Sequence, residues 1–290
     1  MRRLSGYILT IISAVSFGVM PILARAAYAS GTDPVTVLFL RFTTATIIMA
    51  AILIIRKIPL PKGRTIFQLM LMGGVGYVGQ SMCYFTALTL ADASLVALLL
   101  YLYPILVTIL SFIFLHERVS KAKIIALVMA LAGSALTIGF SGEGKAGGII
   151  LGISAAVIYS IYIVSGSKVM EKVQALPAST IIIFSAAVVY SGVVVVRGVV
   201  FPTTTGGWLA VFGVAVIGTV IAIGTFLAGM ERIGPMNAST ISTLEPAVTV
   251  ILAGLLLGEE LSFTKIIGGV LILAAVILLT RADKKSEIPA

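Results

Sequence analysis

Glu245 is the residue whose position most demands a chemical explanation. It lies in the apolar stretch 237–257, eight residues past Asn237, which is about 12 Å into a hydrocarbon layer at 1.5 Å per helical residue. A carboxylate at that depth is costly and faces a cavity or a partner. It suits a proton-coupling group or a contact to a substrate amine; the structural alternative is a protonated or paired side chain beside a kink at Pro246. Arg41, about 10 Å from the surface of the stretch 34–55, binds a substrate carboxylate, pairs with Glu245, or else snorkels or caps exposed backbone carbonyls. Helical spacing puts Tyr77, Gln80 and Tyr84 on one face, Tyr159 and Tyr162 on another, and Ser242, Glu245 and Thr249 on a third. Tyr101 and Thr225 add to this pool. An aromatic and amide lining with one carboxylate suits a small organic solute; the competing reading is helix packing with ordinary interhelical hydrogen bonds. Pro21, Pro104 and Pro246 either kink helices at gates or are simply tolerated, as many membrane prolines are.

The elements that hold these residues follow from composition. The chain has 290 residues, 59% apolar and 11% charged, with a mean hydropathy of +1.17. Soluble domains carry about 25% charged residues, and a globule of this size has no room to hide so much apolar surface from water. Ten apolar stretches are read, at 6–28, 34–55, 66–88, 93–115, 121–139, 147–167, 178–200, 207–229, 237–257 and 264–280. Each is long enough to cross a layer of about 30 Å, and in lipid the backbone must satisfy its own hydrogen bonds. The expected fold is therefore an all-α polytopic membrane protein of ten transmembrane helices. Ala27-Tyr28-Ala29 imitates a signal-peptide cleavage site, but the apolar run before it is long and holds Arg25, so the first stretch is read as a retained span.

Charge sets the orientation. With a cytoplasmic N-terminus, inner loops and tails hold 15 of the 20 Lys and Arg residues, while the outer loops hold Arg25, Lys145, Arg197 and Lys265. Both termini are then expected in the cytoplasm. The net charge of +9 is a topology signal, and nucleic acid is not an expected partner.

The two halves resemble each other at an offset of 142 residues. Pro104 meets Pro246, Glu117 meets Glu259, Ser120 meets Ser262, and Lys123-Ile124-Ile125 meets Lys265-Ile266-Ile267. Gly6 meets Gly148, and aromatic Phe17 meets aromatic Tyr159. Units 1–142 and 143–290 of five spans each must enter the membrane from opposite sides, because five is odd. Such a 5+5 inverted repeat is the architecture of alternating-access transporters, with a site near the midplane between the copies. Glu117 and Glu259 are read as helix-end groups, with gating as the alternative.

Ten spans in this arrangement, the segments Leu115-His116-Glu117-Arg118-Val119-Ser120 and Leu257-Gly258-Glu259-Glu260-Leu261-Ser262, Arg41, Pro104 and Leu244-Glu245-Pro246 together resemble the EamA family of the drug/metabolite transporter superfamily. The resemblance covers essentially the whole chain. It implies an inner-membrane carrier, often an exporter, of amino acids, other small metabolites or drugs. Tyr103-Pro104 stands where the second half has Glu245-Pro246, so the halves differ at this position.

Other chemistries fit poorly. One histidine, His116, and one cysteine, Cys83, leave no disulfide, no expected metal site and no His-based acid–base machinery. No cofactor is expected. Gly74-Val75-Gly76-Tyr77-Val78-Gly79 fits a dinucleotide pattern, but inside an apolar span small residues serve close helix contact. Gly139 to Ala146 nearly fits a phosphate loop, with alanine where a hydroxyl would hold magnesium. An intramembrane enzyme lacks its His or clustered acids, and a channel lacks a continuous polar stripe. The expectation is a secondary carrier, not an enzyme, that moves a small organic solute such as an amino acid, with multidrug efflux as the alternative and protons as the candidate coupling ion.

Overall fold

The computed structural model describes residues 2–87, 90–91, 93–117, 119–139, 145–257 and 262–286. The phosphate-loop lookalike, apart from its flanks, and Glu259 lie outside the described residues. The described chain is helical almost throughout: α1 Arg2–Tyr28, α2 Pro34–Ile55, α3 Arg64–Leu71, α4 Val78–Ala87, α5 Ala93–Leu100, α6 Tyr103–Leu115, α7 Lys121–Ile138, α8 Ala146–Met170, α9 Ala175–Arg197, α10 Thr205–Ala215, α11 Ala222–Ile233, α12 Pro235–Ser242, α13 Leu244–Leu257 and α14 Phe263–Ser286. Single π-helical turns, Met72–Tyr77 and Val216–Ile221, join α3 to α4 and α10 to α11.

Among the described residues, nine helices are long and apolar enough to cross a membrane, when α5 with α6, α10 with α11 and α12 with α13 are each taken as one. The continuous helix 64–87 is not one of the nine. Gln68, Gln80, Ser81 and four glycines dilute its apolar run. The expected start at 178 moves back to Ala175, because Pro177 sits in the first turn, where a missing N–H costs nothing.

Two expected spans are broken in the middle. The stretch 93–115 divides into α5 and α6 around Tyr101 and Leu102, and 237–257 divides into α12 and α13 at Thr243. Pro104 and Pro246 therefore sit in the first turns of α6 and α13. A proline ring clashes with the carbonyl four residues back, so each helix ends just before its proline and restarts with it. Pro21 alone of the three lies inside a helix, α1.

Helices of the first half pack chiefly on those of the second. α1 packs on α10, α11 and α13, while α8 packs on α4, α5 and α6; α2 pairs with α9, and α7 with α14. Small residues permit the closest approaches. A Cβ on Gly133 would meet the Gly268 carbonyl at 2.7 Å, and one on Gly73 would collide with the Ile182 carbonyl. Two of the three lookalike glycines are thus packing residues, Gly74 against Ser185 and Gly76 against Tyr162. Backbone cannot yield as a flexible side chain does. Gly73→Ala is therefore expected to destabilise the protein by about 3 kcal/mol, the upper end for overpacking, and to lower its melting temperature in detergent; Gly79→Ala, with open space around its Cβ, is the unaffected control.

The bundle has two distinct ends. At one, Arg232 Nη1 donates to Ser5 Oγ at 3.1 Å, and Glu117 lies beside the left-handed Gly234. At the other, Thr203 N donates to the Ser30 carbonyl and Lys145 N to the Leu90 carbonyl. Asp33 caps α2 there. Its Oδ1 accepts from Val35 N at 2.9 Å and Thr36 N at 3.2 Å, and its Oδ2 from Thr36 Oγ1 at 2.6 Å. Burial alone would raise its pKa, but these hydrogen bonds and the Arg197 guanidinium outweigh it and hold the carboxyl below its ordinary value. A group whose pKa is depressed on folding stabilises above its unfolded pKa and loses that contribution as pH falls through the folded one. Asp33→Ala is expected to cost about 1 kcal/mol at pH 7, and the gap in melting temperature between parent and variant should close as the pH falls below about 4.

Candidate functional site

A cavity of about 200 Å³ lies between the two halves. α1 contributes Phe17, Met20 and Pro21, and α2 contributes Leu38 and Arg41. The helix 64–87 contributes Tyr77, Gln80, Ser81 and Tyr84. Ala97, Leu100, Tyr101 and Tyr103 come from around the break between α5 and α6, Tyr159 from α8, and Glu245 and Thr249 from α13. The sequence-derived candidates Glu245, Arg41, Tyr77, Gln80, Tyr84, Tyr101, Tyr159 and Pro21 thus share one space. Tyr162, Ser242, Pro104 and Pro246 are not in its lining. Ser242 leaves the face of Glu245 and Thr249 because the helix breaks at Thr243, so the spacing rule no longer applies across it. Thr225 donates to the Ile221 carbonyl and is not in the lining either.

Arg41 is 4% exposed and held from both halves. Its Nε donates to Thr219 Oγ1 at 2.6 Å, and its Nη2 donates to the Gly218 carbonyl and to Tyr77 Oη, each at 3.1 Å. Gly218 and Thr219 lie in one π-turn, and Tyr77 ends the other. A π-turn leaves carbonyls without their usual partner, and the guanidinium fork is shaped to reach several acceptors at once. Glu245 Oε2 accepts from Tyr101 Oη at 3.4 Å. Arg41 and Glu245 line the same cavity without pairing with each other, so that one of the expected roles for Arg41 is absent from this conformation.

Aromatic rings form the cavity's wall. Tyr101, Tyr103, Tyr159 and Tyr162 follow one another at centroid distances of 6.3, 4.8 and 6.0 Å. Tyr77 continues the series from Tyr162 at 5.9 Å, and Phe42 and Tyr190 complete it. Offset and edge-to-face contacts of this kind add about 0.5–1.5 kcal/mol each beyond burial. Tyr162 is therefore the support behind Tyr77 and Tyr159. Tyr103 is the main lining residue that face arithmetic misses, and its signal was the register: it is the counterpart of Glu245 in the first half.

Pro21 and Thr249 also line a second cavity, of about 180 Å³, with Arg25, Ile138 and Lys265 at the end where Lys145 and Leu90 meet. A third, of about 520 Å³, sits at the opposite end between Glu117, Lys168, Glu171, Glu231 and Gly234. It shares no lining residue with the central cavity. No group of three or more His, Cys, Asp or Glu side chains among the described residues is arranged to hold a metal ion.

The sequence profile of the EamA-like transporter family matches residues 4–139 and again residues 146–281. The chain belongs to the EamA-like transporter family. The two matches of this transporter stand 142 residues apart, the register of the internal repeat. An uncharacterized transporter of Archaeoglobus fulgidus is 27% identical, over 93% of this chain and 94% of its own. The aromatic amino acid exporter YddG of Ancylobacter novellus is 27% identical, over 79% of this chain and 82% of its own. The uncharacterized inner membrane transporter YhbE of Escherichia coli K12 is 24% identical, over 87% and 81%. A protein crystal structure superposes with a TM-score of 0.85 at 22% identity, covering 97% of this chain and 99% of the other. The EamA-like protein is thus a multi-pass membrane transporter of small molecules and not an enzyme.

Proposed function

We propose that this EamA-like protein crosses the inner (plasma) membrane ten times, as five-helix units 1–142 and 143–290 threaded in opposite senses, and exports a small zwitterionic solute such as an amino acid by alternating access. One observation carries the solute class: a guanidinium and a carboxylate line one small cavity, unpaired with each other, with tyrosines between them. The amine of a zwitterion fits Glu245, its carboxylate fits Arg41, and an apolar or aromatic side chain fits the tyrosine wall. A volume of about 200 Å³ lies below the roughly 300–1,000 Å³ of drug-sized sites, which favours a metabolite over a multidrug substrate. The exporter name of the Ancylobacter relative supports the same class.

The threading has independent supports. α5 and α12 end at Leu100 and Ser242, positions 142 residues apart, and the π-turns fall in the third and eighth spans. Glu117 sits at the Ser5 end of the bundle, whereas α13 runs toward the Arg25 and Lys265 end, as oppositely inserted copies require. The excess of Lys and Arg assigns the Ser5 end, and both termini, to the cytoplasm. Glu245 is the proton-coupling candidate, since no ATP-binding motif supplies energy. The test is thermal stabilisation of the purified protein by a library of amino acids and cationic drugs, followed by counterflow of the hits in proteoliposomes. Stabilisation and counterflow by amino acids are expected. Stabilisation by hydrophobic cations alone would reassign the protein to drug efflux.

A further inference from the structure

The cavity reaches toward the Arg25 and Lys265 end, and the opposite end is filled by α12. All eight residues of α12 are buried, although Asn237, Ser239, Thr240 and Ser242 are polar. Its counterpart α5, Ala-Ser-Leu-Val-Ala-Leu-Leu-Leu, is mostly apolar, so the repeat itself does not call for these polar groups. The hydroxyls of Ser239, Thr240 and Thr243 turn back on their own segment. Ser239 and Thr240 donate to the Met236 carbonyl at 2.9 Å, and Thr243 donates to the Thr240 carbonyl at 2.6 Å. Ser242, 1% exposed, has no hydrogen-bond partner for its Oγ, although the Tyr103 hydroxyl is beside it.

The repeat register says what these groups correspond to. Ala97, Leu100 and Tyr101, which line the cavity, stand 142 residues before Ser239, Ser242 and Thr243; Met20, also in the lining, stands 142 before Tyr162. The pairs Tyr103 with Glu245 and Phe17 with Tyr159 exchange within the present lining. In a bundle of inverted copies, the second state is built by exchanging the environments of the two copies.

We infer that Ser239, Ser242, Thr243 and Tyr162 form a second solute-binding surface, buried here, which lines the path when the bundle opens at the Glu117 end. Tyr103 and Glu245 belong to both surfaces. The inner surface offers neutral hydroxyls where the outer one offers Arg41, so it takes the same polar, zwitterionic class by hydrogen bonds to its carboxylate. This inference rests on the inverted threading proposed above.

The test uses single cysteines in a Cys83→Ala background, reconstituted in lipid vesicles and exposed on one side at a time to a membrane-impermeant cationic methanethiosulfonate. Lys168→Cys and Lys145→Cys mark the two ends. Leu100→Cys should react only from the Lys145 side. Ser242→Cys and Ser239→Cys should react only from the Lys168 side, at on the order of 0.1–10% of the Lys168→Cys rate, the population of a minor state. Two positions guard against one variant failing to fold. If Leu100→Cys reacts from the Lys145 side while both serine variants are inert from both sides, the second surface is overturned and the carrier reading survives. If the serine variants react from the same side as Leu100→Cys, the second surface is overturned as well; if Lys123→Cys and Lys265→Cys, equivalent positions of the two units, react from one side, the inverted threading falls with it.

Discussion

Glu245→Gln should weaken solute binding by roughly 10- to 150-fold and remove the pH dependence of transport. It is the cavity's carboxylate, and of its two oxygens Oε2 is engaged, by Tyr101 at 3.4 Å. A hydrogen bond to a charged group contributes about 1.5–3 kcal/mol, and each 1.4 kcal/mol is tenfold in affinity. Glutamine has the same shape and still accepts from Tyr101, so the fold and the aromatic wall are kept. What is lost is the negative charge that an ammonium group requires and the ability to carry a proton. The measurement is counterflow and ligand-induced stabilisation across a pH series from about 5 to 9. A variant that matches the parent in affinity and pH profile would leave Glu245 as a packing residue.

Arg41→Lys carries the second large effect, because it separates two jobs of one side chain. The guanidinium ties Thr219 and Gly218 of the second half to Tyr77 of the first. Lysine keeps the charge but not the planar fork, so at least one of these contacts is lost, at about 1.5–3 kcal/mol for a hydrogen bond to a charged group. The melting temperature should fall by several degrees, and transport should fall at least tenfold. A solute analogue lacking its carboxylate distinguishes the roles. If Arg41 contacts the carboxylate, the decarboxylated amine binds parent and variant alike while the zwitterion discriminates between them. If both ligands weaken equally, Arg41 acts only as the clamp on the two π-turns.

The aromatic series explains how the Arg41 and Glu245 side chains line one space without pairing with each other. Arg41 is fixed from behind by the opposite half, Glu245 leans on Tyr101, and tyrosine rings occupy the wall between.

Hydropathy, charge and register were legible in the residues alone, because each is a one-dimensional property. The lengths of the apolar stretches answer to the thickness of a bilayer, and the 142-residue register appears as matching prolines, glutamates and lysines. The same register marks Glu245 and Tyr103 as counterparts, and the family profile repeats it at 4–139 and 146–281. The face of Tyr77, Gln80 and Tyr84 held: Tyr77 ends the π-turn, the other two follow it, and all three line the cavity, whereas in unbroken α8 only Tyr159 of the pair Tyr159 and Tyr162 does. Spacing failed at Ser242, because the break at Thr243 resets the helical phase. Only the tertiary structure decided which helices of one half meet which of the other, that Arg41 reaches Gly218 and Thr219 some 180 residues away, and that Tyr162 stands behind the wall rather than in it. Those contacts join residues distant along the chain, and neither period nor hydropathy at either partner encodes where the other will lie.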